Sequence, residues 1–146
     1  MSSFDTSLLH LLHRASQTAG TIFAAQQDGS GITPRQYVIL AALAENEGIS
    51  QTAIVERSGI DRSTLAEIVR RLAKNGLLQR RRSKQDARAY VVTLTARGRE
   101  TVRDVQALAR RVDKQLLAGL PQPEREQLIG SLEALSRVPL PPSATK

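Results

Sequence analysis

The sequence predicts a mainly α-helical fold with a small β-wing, a winged helix-turn-helix with further helices at both ends. Apolar residues recur at helical spacing along most of the chain, and only two short segments have the composition of strands. Two short predicted helices meet at Gly59, which is the arrangement of a helix-turn-helix. Aromatic residues make up only 3% of the chain, so the core is expected to be aliphatic.

Most predicted helices begin at a residue whose side chain suits the N-cap position. These residues are Asp5 or Ser7, Thr33, Ser50, Asp61 and Thr95. Pro34 and Gln36 add a first-turn proline and a capping-box partner to the second of these starts. Helix ends are predicted at Gly59 and at the Asn75-Gly76 pair, because glycine and asparagine favour the conformation that stops a helix.

These signals predict one N-terminal helix, a central region that ends in the hairpin, and two C-terminal helices. The first helix is expected over about residues 5–27 and the last over about residues 124–137. The strands of the hairpin are expected at residues 77–82 and 89–94, on either side of a polar, basic loop.

Basic residues are concentrated in the helix-turn-helix and the hairpin. Residues 57–99 contain twelve Arg or Lys and three Asp or Glu, a balance of +9, whereas the whole chain carries +7. A helix pair and a hairpin with this charge fit the phosphate backbone of duplex DNA. The alternative is a merely solvated charge run, which would not explain why the charge coincides with these elements.

The second helix of the pair is expected to lie in the DNA major groove. Its apolar stripe would face the core and leave six residues facing outward: Arg62, Ser63, Ala66, Glu67, Arg70 and Arg71. Arg62 would bond guanine O6 and N7, Glu67 would accept from cytosine N4, and Ala66 would contact a thymine methyl. Arg70 and Arg71 lie farther along the helix and would meet phosphates.

The hairpin is predicted to place a cationic tip beside the duplex. Its candidate DNA-binding residues are Arg80, Arg82, Lys84, Asp86 and Arg88. A strand pair is too wide for the minor groove, but one extended arginine from the tip fits it. A carboxylate is unusual at such a place. We expect Asp86 to pair with a nearby arginine and to fix the shape of the loop rather than touch DNA.

These motifs resemble the MarR family of winged-helix transcriptional regulators. The resemblance rests on SGIDRSTLAEIVRRLAKNGLLQR at residues 58–80, on DARAY with Asp86 and Arg88, and on LTARG at residues 94–98. The order of helices and strands also matches over the whole chain. One departure is Val55, where the family more often has Ala, and this is expected to affect packing alone.

The resemblance implies a homodimer that binds a pseudo-palindromic operator and regulates transcription. It implies a single MarR-type domain over residues 1–146, with dimerisation helices at 1–30 and 96–138, a DNA-binding region at 32–95 and a flexible tail at 139–146. The residues favour a dimer independently, because the outer helices carry more apolar surface than a small winged core covers. The alternative is a monomer in which these helices pack onto their own core.

The resemblance also implies a small-molecule effector, commonly a phenolic or aromatic carboxylate, bound between the dimer helices and the winged region. Candidate ligand-binding residues are His10, His13, Arg14, Arg35 and Tyr37. An arginine would hold the carboxylate, and a histidine would hydrogen-bond the phenol. The plainer alternative for each is a solvated side chain or, for Tyr37, a place in the core.

Composition excludes or disfavours several function classes. The chain has no Cys, which excludes disulfides and thiolate metal sites, and its two His are too few for a metal site without carboxylates. We find no enzyme motif, no phosphate loop, and no apolar run of the length that a membrane span needs. We therefore expect a cytoplasmic, ligand-responsive repressor that is not an enzyme and has no cofactor. The alternative is a ligand-independent or architectural DNA-binding protein.

Overall fold

The computed structural model describes residues 3–27 and 29–142. Its elements, in chain order, are α1 (Leu8–Ala25), α2 (Pro34–Glu45), β1 (Ile49–Ser50), α3 (Gln51–Ser58), α4 (Arg62–Lys74), β2 (Leu78–Arg82), β3 (Tyr90–Leu94), α5 (Ala96–Leu117) and α6 (Gln122–Ser136). The predicted fold class, mainly α with a small β-wing, is confirmed. The last part of the predicted flexible tail, residues 143–146, lies outside the described residues. The chain divides into two compact units, residues 1–112 and residues 113–146.

The helix starts mostly agree with the sequence. At the start of α2, the Thr33 hydroxyl accepts the Gln36 N–H at 3.2 Å, and the Gln36 side chain accepts the Thr33 N–H at 3.0 Å. Ser50 caps α3 by accepting the Ala53 N–H at 3.1 Å. Ser7 occupies the N-cap of α1, but its side chain makes no capping hydrogen bond. The first helix also starts later than predicted.

The strands form one antiparallel sheet in the order β1-β3-β2. Within the hairpin, Leu78 pairs with Leu94 and Arg82 pairs with Tyr90. The short strand β1, which pairs with β3 on its other side, was not predicted. Two residues carry no alternation of apolar and polar side chains, and one of them, Ser50, also caps the next helix.

The core of the first unit is aliphatic, as predicted. It is built from α2, α3, α4, the hairpin and α5, and α1 contributes its C-terminal end. Its members, none of them more than 5% exposed, are Phe23, Ile32, Ile39, Leu40, Leu43, Ile54, Leu65, Val69, Leu72, Leu77, Leu78, Val92, Leu94, Val102, Val105, Leu108 and Val112. Because α4 and the hairpin share this core, they are held in a fixed relation to each other.

The first turn of α5 is joined to the chain that follows α4. The Thr95 hydroxyl accepts the Gly98 N–H at 3.0 Å, as the predicted cap, and donates to the Gly76 carbonyl at 2.6 Å. Gly98 is buried, and a Cβ atom there would lie 2.1 Å from the Leu77 carbonyl oxygen. The two backbones approach so closely that only glycine fits.

The second unit contains the end of α5 and the helix α6. Helix α6 begins slightly before the predicted start, because Pro123 fits the first turn of a helix. Arg125 Nε donates to the Leu120 carbonyl at 2.7 Å and fastens the turn before α6. Four large apolar side chains of α6 are 37–48% exposed: Leu128, Ile129, Leu132 and Leu135. No residue in the described part of this unit is buried.

Helix α1, in the first unit, also exposes apolar surface. Its N-terminal half carries four leucines that are 38–79% exposed: Leu8, Leu9, Leu11 and Leu12. Only Phe23, near the other end, is buried. Among the described residues, no helix has the length and apolar character needed to cross a membrane.

Candidate nucleic-acid interface

The turn between α3 and α4 has the geometry that the sequence predicts. Gly59 adopts a left-handed conformation with φ of 69°, and its N–H donates to the Val55 carbonyl at 3.0 Å. Asp61 then caps α4, because its carboxylate accepts the Thr64 N–H at 3.0 Å. The predicted helix-turn-helix is therefore present.

The N-cap carboxylate of α4 is unusually acidic. Hydrogen bonds from the side chain and the backbone of Thr64, and then from the Ser63 hydroxyl, lower the pKa of Asp61 from 3.8 to about 2. Asp61 is thus ionised at neutral pH and stabilises the N-terminus of α4. The Ser63 hydroxyl donates to Asp61 at 2.7 Å, so the proton of this predicted DNA-binding group serves the cap.

Helix α4 presents two distinct faces. Leu65, Val69 and Leu72 are buried and Ile68 is half-buried. The six residues predicted to face outward are all exposed: Arg62, Ser63, Ala66, Glu67, Arg70 and Arg71. The orientation predicted for this helix is confirmed, whereas the contacts assigned to individual side chains remain predictions.

Glu67 is engaged within the helix. Its Oε2 accepts from Arg70 Nη2 at 2.9 Å and its Oε1 accepts from Arg71 Nε at 3.1 Å. Both carboxylate oxygens therefore hold arginines that are predicted to meet phosphates. A cytosine amino group would have to share one of these oxygens, and base readout by Glu67 stays a prediction.

The arginines of β2 point to opposite faces of the sheet, as successive strand residues do. Arg80 and Arg82 lie over the ring of Tyr90, with their Cζ atoms 4.9 and 5.3 Å from its centroid. Arg81 instead binds the Gln79 side chain, through its Nη2 at 3.0 Å. The sequence did not predict the ring contact, because it depends on the register that sets Arg82 opposite Tyr90.

The loop of the hairpin is organised by Ser83 and Asp86. Ser83 Oγ accepts the backbone N–H of Asp86 at 3.3 Å, and Asp86 Oδ1 accepts the backbone N–H of Arg88 at 3.0 Å. In the described residues Asp86 forms no ion pair, so its predicted pairing with an arginine is not found. It fixes the loop through the backbone instead. Lys84 and Arg88 are exposed at the tip.

The recognition helix α4 and the hairpin border the same cleft. This cleft of about 270 Å³ is lined by Gln51, Ala66, Val69, Arg70, Ala73 and Arg80. Exposed arginines from α4 and from β2 thus meet at its edge. A surface that joins these two elements is the arrangement that the DNA-binding prediction requires.

The residues predicted to bind an effector lie in different surroundings. His10 packs on Phe4, with ring centroids 4.1 Å apart, and Tyr37 is half-buried with its ring 6.2 Å from that of Phe23. His13 and Arg35 are exposed.

Arg14 lines an open groove of about 490 Å³ along α1, together with Gln17, Thr18, Thr21 and Ile22. This groove includes neither Arg35 nor Tyr37.

A polar cleft of about 650 Å³ contains none of the predicted effector residues. It lies between the loop before α2, the end of α4 and the start of α5, and its charged lining residues are Lys74, Arg97 and Asp104. Sequence reasoning missed it because these residues are distant in the chain and form no motif. The described residues contain no group of three or more His, Cys, Asp or Glu side chains that could hold a metal ion.

A helix-turn-helix with an arginine-rich second helix, followed by a basic antiparallel hairpin, defines the winged-helix class of DNA-binding proteins. Residues 32–90 match the model of the MarR family. The repressor CouR, solved bound to a 23-mer DNA duplex, is 30% identical, with a TM-score of 0.85 over 94% of this chain and 97% of that one. This chain belongs to the MarR family of transcriptional regulators.

Two further proteins are similar to this chain. BpsR of Bordetella bronchiseptica, whose DNA binding is regulated by 6-hydroxynicotinic acid, is 29% identical, with a TM-score of 0.88 over 95% of this chain and 99% of that one. A Thauera aromatica protein assigned to regulation of the hcr operon is 35% identical over 107 residues. That match covers 73% of this chain and 64% of the relative, less than two thirds of its length.

Proposed function

We propose that this chain forms a homodimeric, sequence-specific repressor that leaves its operator when an aromatic carboxylate binds. The observation that carries the proposal is the shared surface of α4 and the hairpin, where Arg70 and Arg80 line one cleft. Exposed cations on both elements suit the phosphates on either side of a major groove. The protein acts where chromosomal DNA lies, in the cytoplasm, and it binds rather than transforms its ligand.

The interface divides into readout and positioning. Arg62 is exposed in the first turn of α4, where a recognition helix contacts base edges, and Ala66 lies one turn farther on. Arg70 and Arg71 follow on the same exposed face and meet phosphates. Lys84 and Arg88 at the tip of the hairpin extend the contact toward the minor groove.

Dimer formation is supported by the apolar surface that the outer helices leave uncovered. Leucines of α1 and of α6 are exposed, as described above, although each helix has room for polar residues at those positions. A second copy of the same surface covers them in the simplest assembly. We therefore propose that residues 1–30 and 96–138 hold the dimer together and that residues 32–95 bind DNA.

DNA binding is tested on a duplex selected from a random pool by the wild-type protein. Arg88→Ala should weaken binding to every sequence and should reduce the slope of log K against log salt by about 0.9, the value for one phosphate. Fluorescence anisotropy between 50 and 300 mM salt (roughly the range over which phosphate contacts dominate) measures both quantities.

The matched control is Arg81→Ala, which removes an arginine of the same hairpin that faces the other side of the sheet and binds Gln79. Its slope should stay close to that of the wild type. Equal slopes for Arg88→Ala and wild type would contradict the role of the tip. A pool that yields no consensus would favour the architectural alternative.

The effector class is supported by the groove that holds Arg14 and by the aromatic acid that regulates BpsR. Arg14→Ala should lower the affinity for 6-hydroxynicotinic acid or a hydroxybenzoate about tenfold or more, since a charge-assisted pair is lost, and should leave operator affinity unchanged. Thermal shift and release from labelled operator measure the two effects.

Arg14→Lys keeps the charge without the planar fork and should recover part of the affinity. A full response of Arg14→Ala would remove Arg14 from the site. An unchanged operator complex with every aromatic acid tested would instead argue that the repressor works without such a ligand.

A further inference from the structure

We propose that Tyr90 is a positioning residue of the hairpin, whose ring holds Arg80 and Arg82 together so that both face the DNA backbone beside α4. This inference rests on the proposed DNA-binding function. It assigns a role to a side chain for which neither charge nor sequence motif gave a reason. We call Tyr90, Arg80 and Arg82 the hairpin cluster.

The register of the sheet builds this cluster. Arg82 is the cross-strand partner of Tyr90, and Arg80 lies two residues earlier on the same face of β2. Side chains at such positions are within reach of one another. The two Cζ atoms stand 4.9 and 5.3 Å from the ring centroid, inside the range of cation–π contacts. Tyr90 is 43% exposed, so the cluster is at the surface and open to a ligand.

Electrostatics explains why a ring is needed there. Two guanidinium groups on one strand face repel each other and would otherwise diverge into solvent. The negative face of an aromatic ring attracts both and opposes this divergence. Because the ring carries no charge, it leaves the positive charge of both arginines available to phosphates. A carboxylate in its place would neutralise one of them.

The cluster connects the recognition helix with the tip of the hairpin. Arg80 lines the cleft next to α4 that also holds Arg70. Arg82 Nη1 donates to the Ala87 carbonyl at 2.6 Å, which fastens the loop immediately before Arg88. One ring thus orders a row of cations that runs from the helix toward the tip.

Arg81 provides the internal contrast. It lies between the two cluster arginines in sequence, yet it projects to the opposite face and binds Gln79. A general effect of positive charge on the hairpin would involve Arg81 as much as its neighbours. A positioned cluster involves Arg80 and Arg82 alone.

The test is a double-mutant cycle on the full-length protein with its selected operator. Tyr90→Leu should weaken binding about three- to tenfold and reduce the salt slope, because two cation–π contacts are lost. Tyr90→Phe keeps the ring and should bind within about twofold of the wild type. In an Arg80→Ala, Arg82→Ala background, Tyr90→Leu should have no further effect, since the groups it positions are gone.

Each outcome separates the possible explanations. A large loss for Tyr90→Phe would mean that the hydroxyl itself contacts DNA, and an undiminished effect of Tyr90→Leu without the two arginines would mean a structural or direct role. Either result overturns the inference. If Arg80→Ala, Arg82→Ala weakens binding but Tyr90→Leu does not, the inference fails and the proposed function stands. If neither variant changes binding, the hairpin part of the proposed function fails as well. Melting temperatures of all variants show whether they are folded.

Discussion

Replacing Gly98 with alanine is expected to destabilise the protein by about 3 kcal/mol, the upper end of the cost of overpacking a rigid site. The new Cβ would lie 2.1 Å from the Leu77 carbonyl oxygen and 3.3 Å from Leu94 Cδ2. The first contact is with backbone, which does not rotate away as a long side chain would. The higher helix propensity of alanine returns only about 1 kcal/mol.

Chemical unfolding at fixed protein concentration measures this loss, which corresponds to a fall in Tm on the order of 10 °C. Gly119→Ala is the matched control, because nothing lies within 4 Å of a Cβ atom at that position. Its stability should differ from the wild type by less than about 0.5 kcal/mol. A Gly98→Ala protein as stable as the control would show that α5 shifts away from Leu77 without cost.

Placing a charge on the exposed leucines of the outer helices is expected to abolish operator binding by preventing dimer formation. Leu9 in α1 is 79% exposed and Leu132 in α6 is 42% exposed in the single chain. In a symmetric dimer each substitution enters the interface twice, so Leu9→Glu or Leu132→Glu should cost on the order of 3–6 kcal/mol. That is about 10²- to 10⁴-fold in the dimer dissociation constant.

Analytical ultracentrifugation across a range of protein concentrations measures this constant, and anisotropy with one- and two-half-site duplexes measures DNA binding. Gln127→Glu adds the same charge to α6 away from its leucine stripe and should remain dimeric. A monomeric wild type, or dimeric leucine variants, would exclude these helices as the dimer interface.

Local chemistry made much of this fold predictable. Thr33 with Gln36, Ser50, Asp61 and Thr95 each cap a helix through hydrogen bonds within a few residues, so their positions in sequence suffice to place the helix starts. The outward face of α4 follows equally from the 3.6-residue period of its apolar side chains. These signals need no knowledge of the rest of the chain.

Features that depend on distant residues were not predictable in this way. The strand β1 exists only because it pairs with β3, more than forty residues later. The contact of Tyr90 with Arg80 and Arg82 depends on hairpin register, and Asp86 chose a backbone N–H where an arginine was expected. Composition indicates which groups attract each other, but geometry decides which of them meet.

The junction at the start of α5 has a mechanical consequence. Besides the bond from Thr95 to Gly76, Arg97 Nη1 donates to the Asn75 carbonyl at 3.2 Å, and Gly98 leaves no gap beside Leu77. A tilt of the first turns of α5 therefore cannot be absorbed as slack at this joint. It would be passed as leverage to the end of α4, so that a small rotation there swings the DNA-reading side chains along an arc.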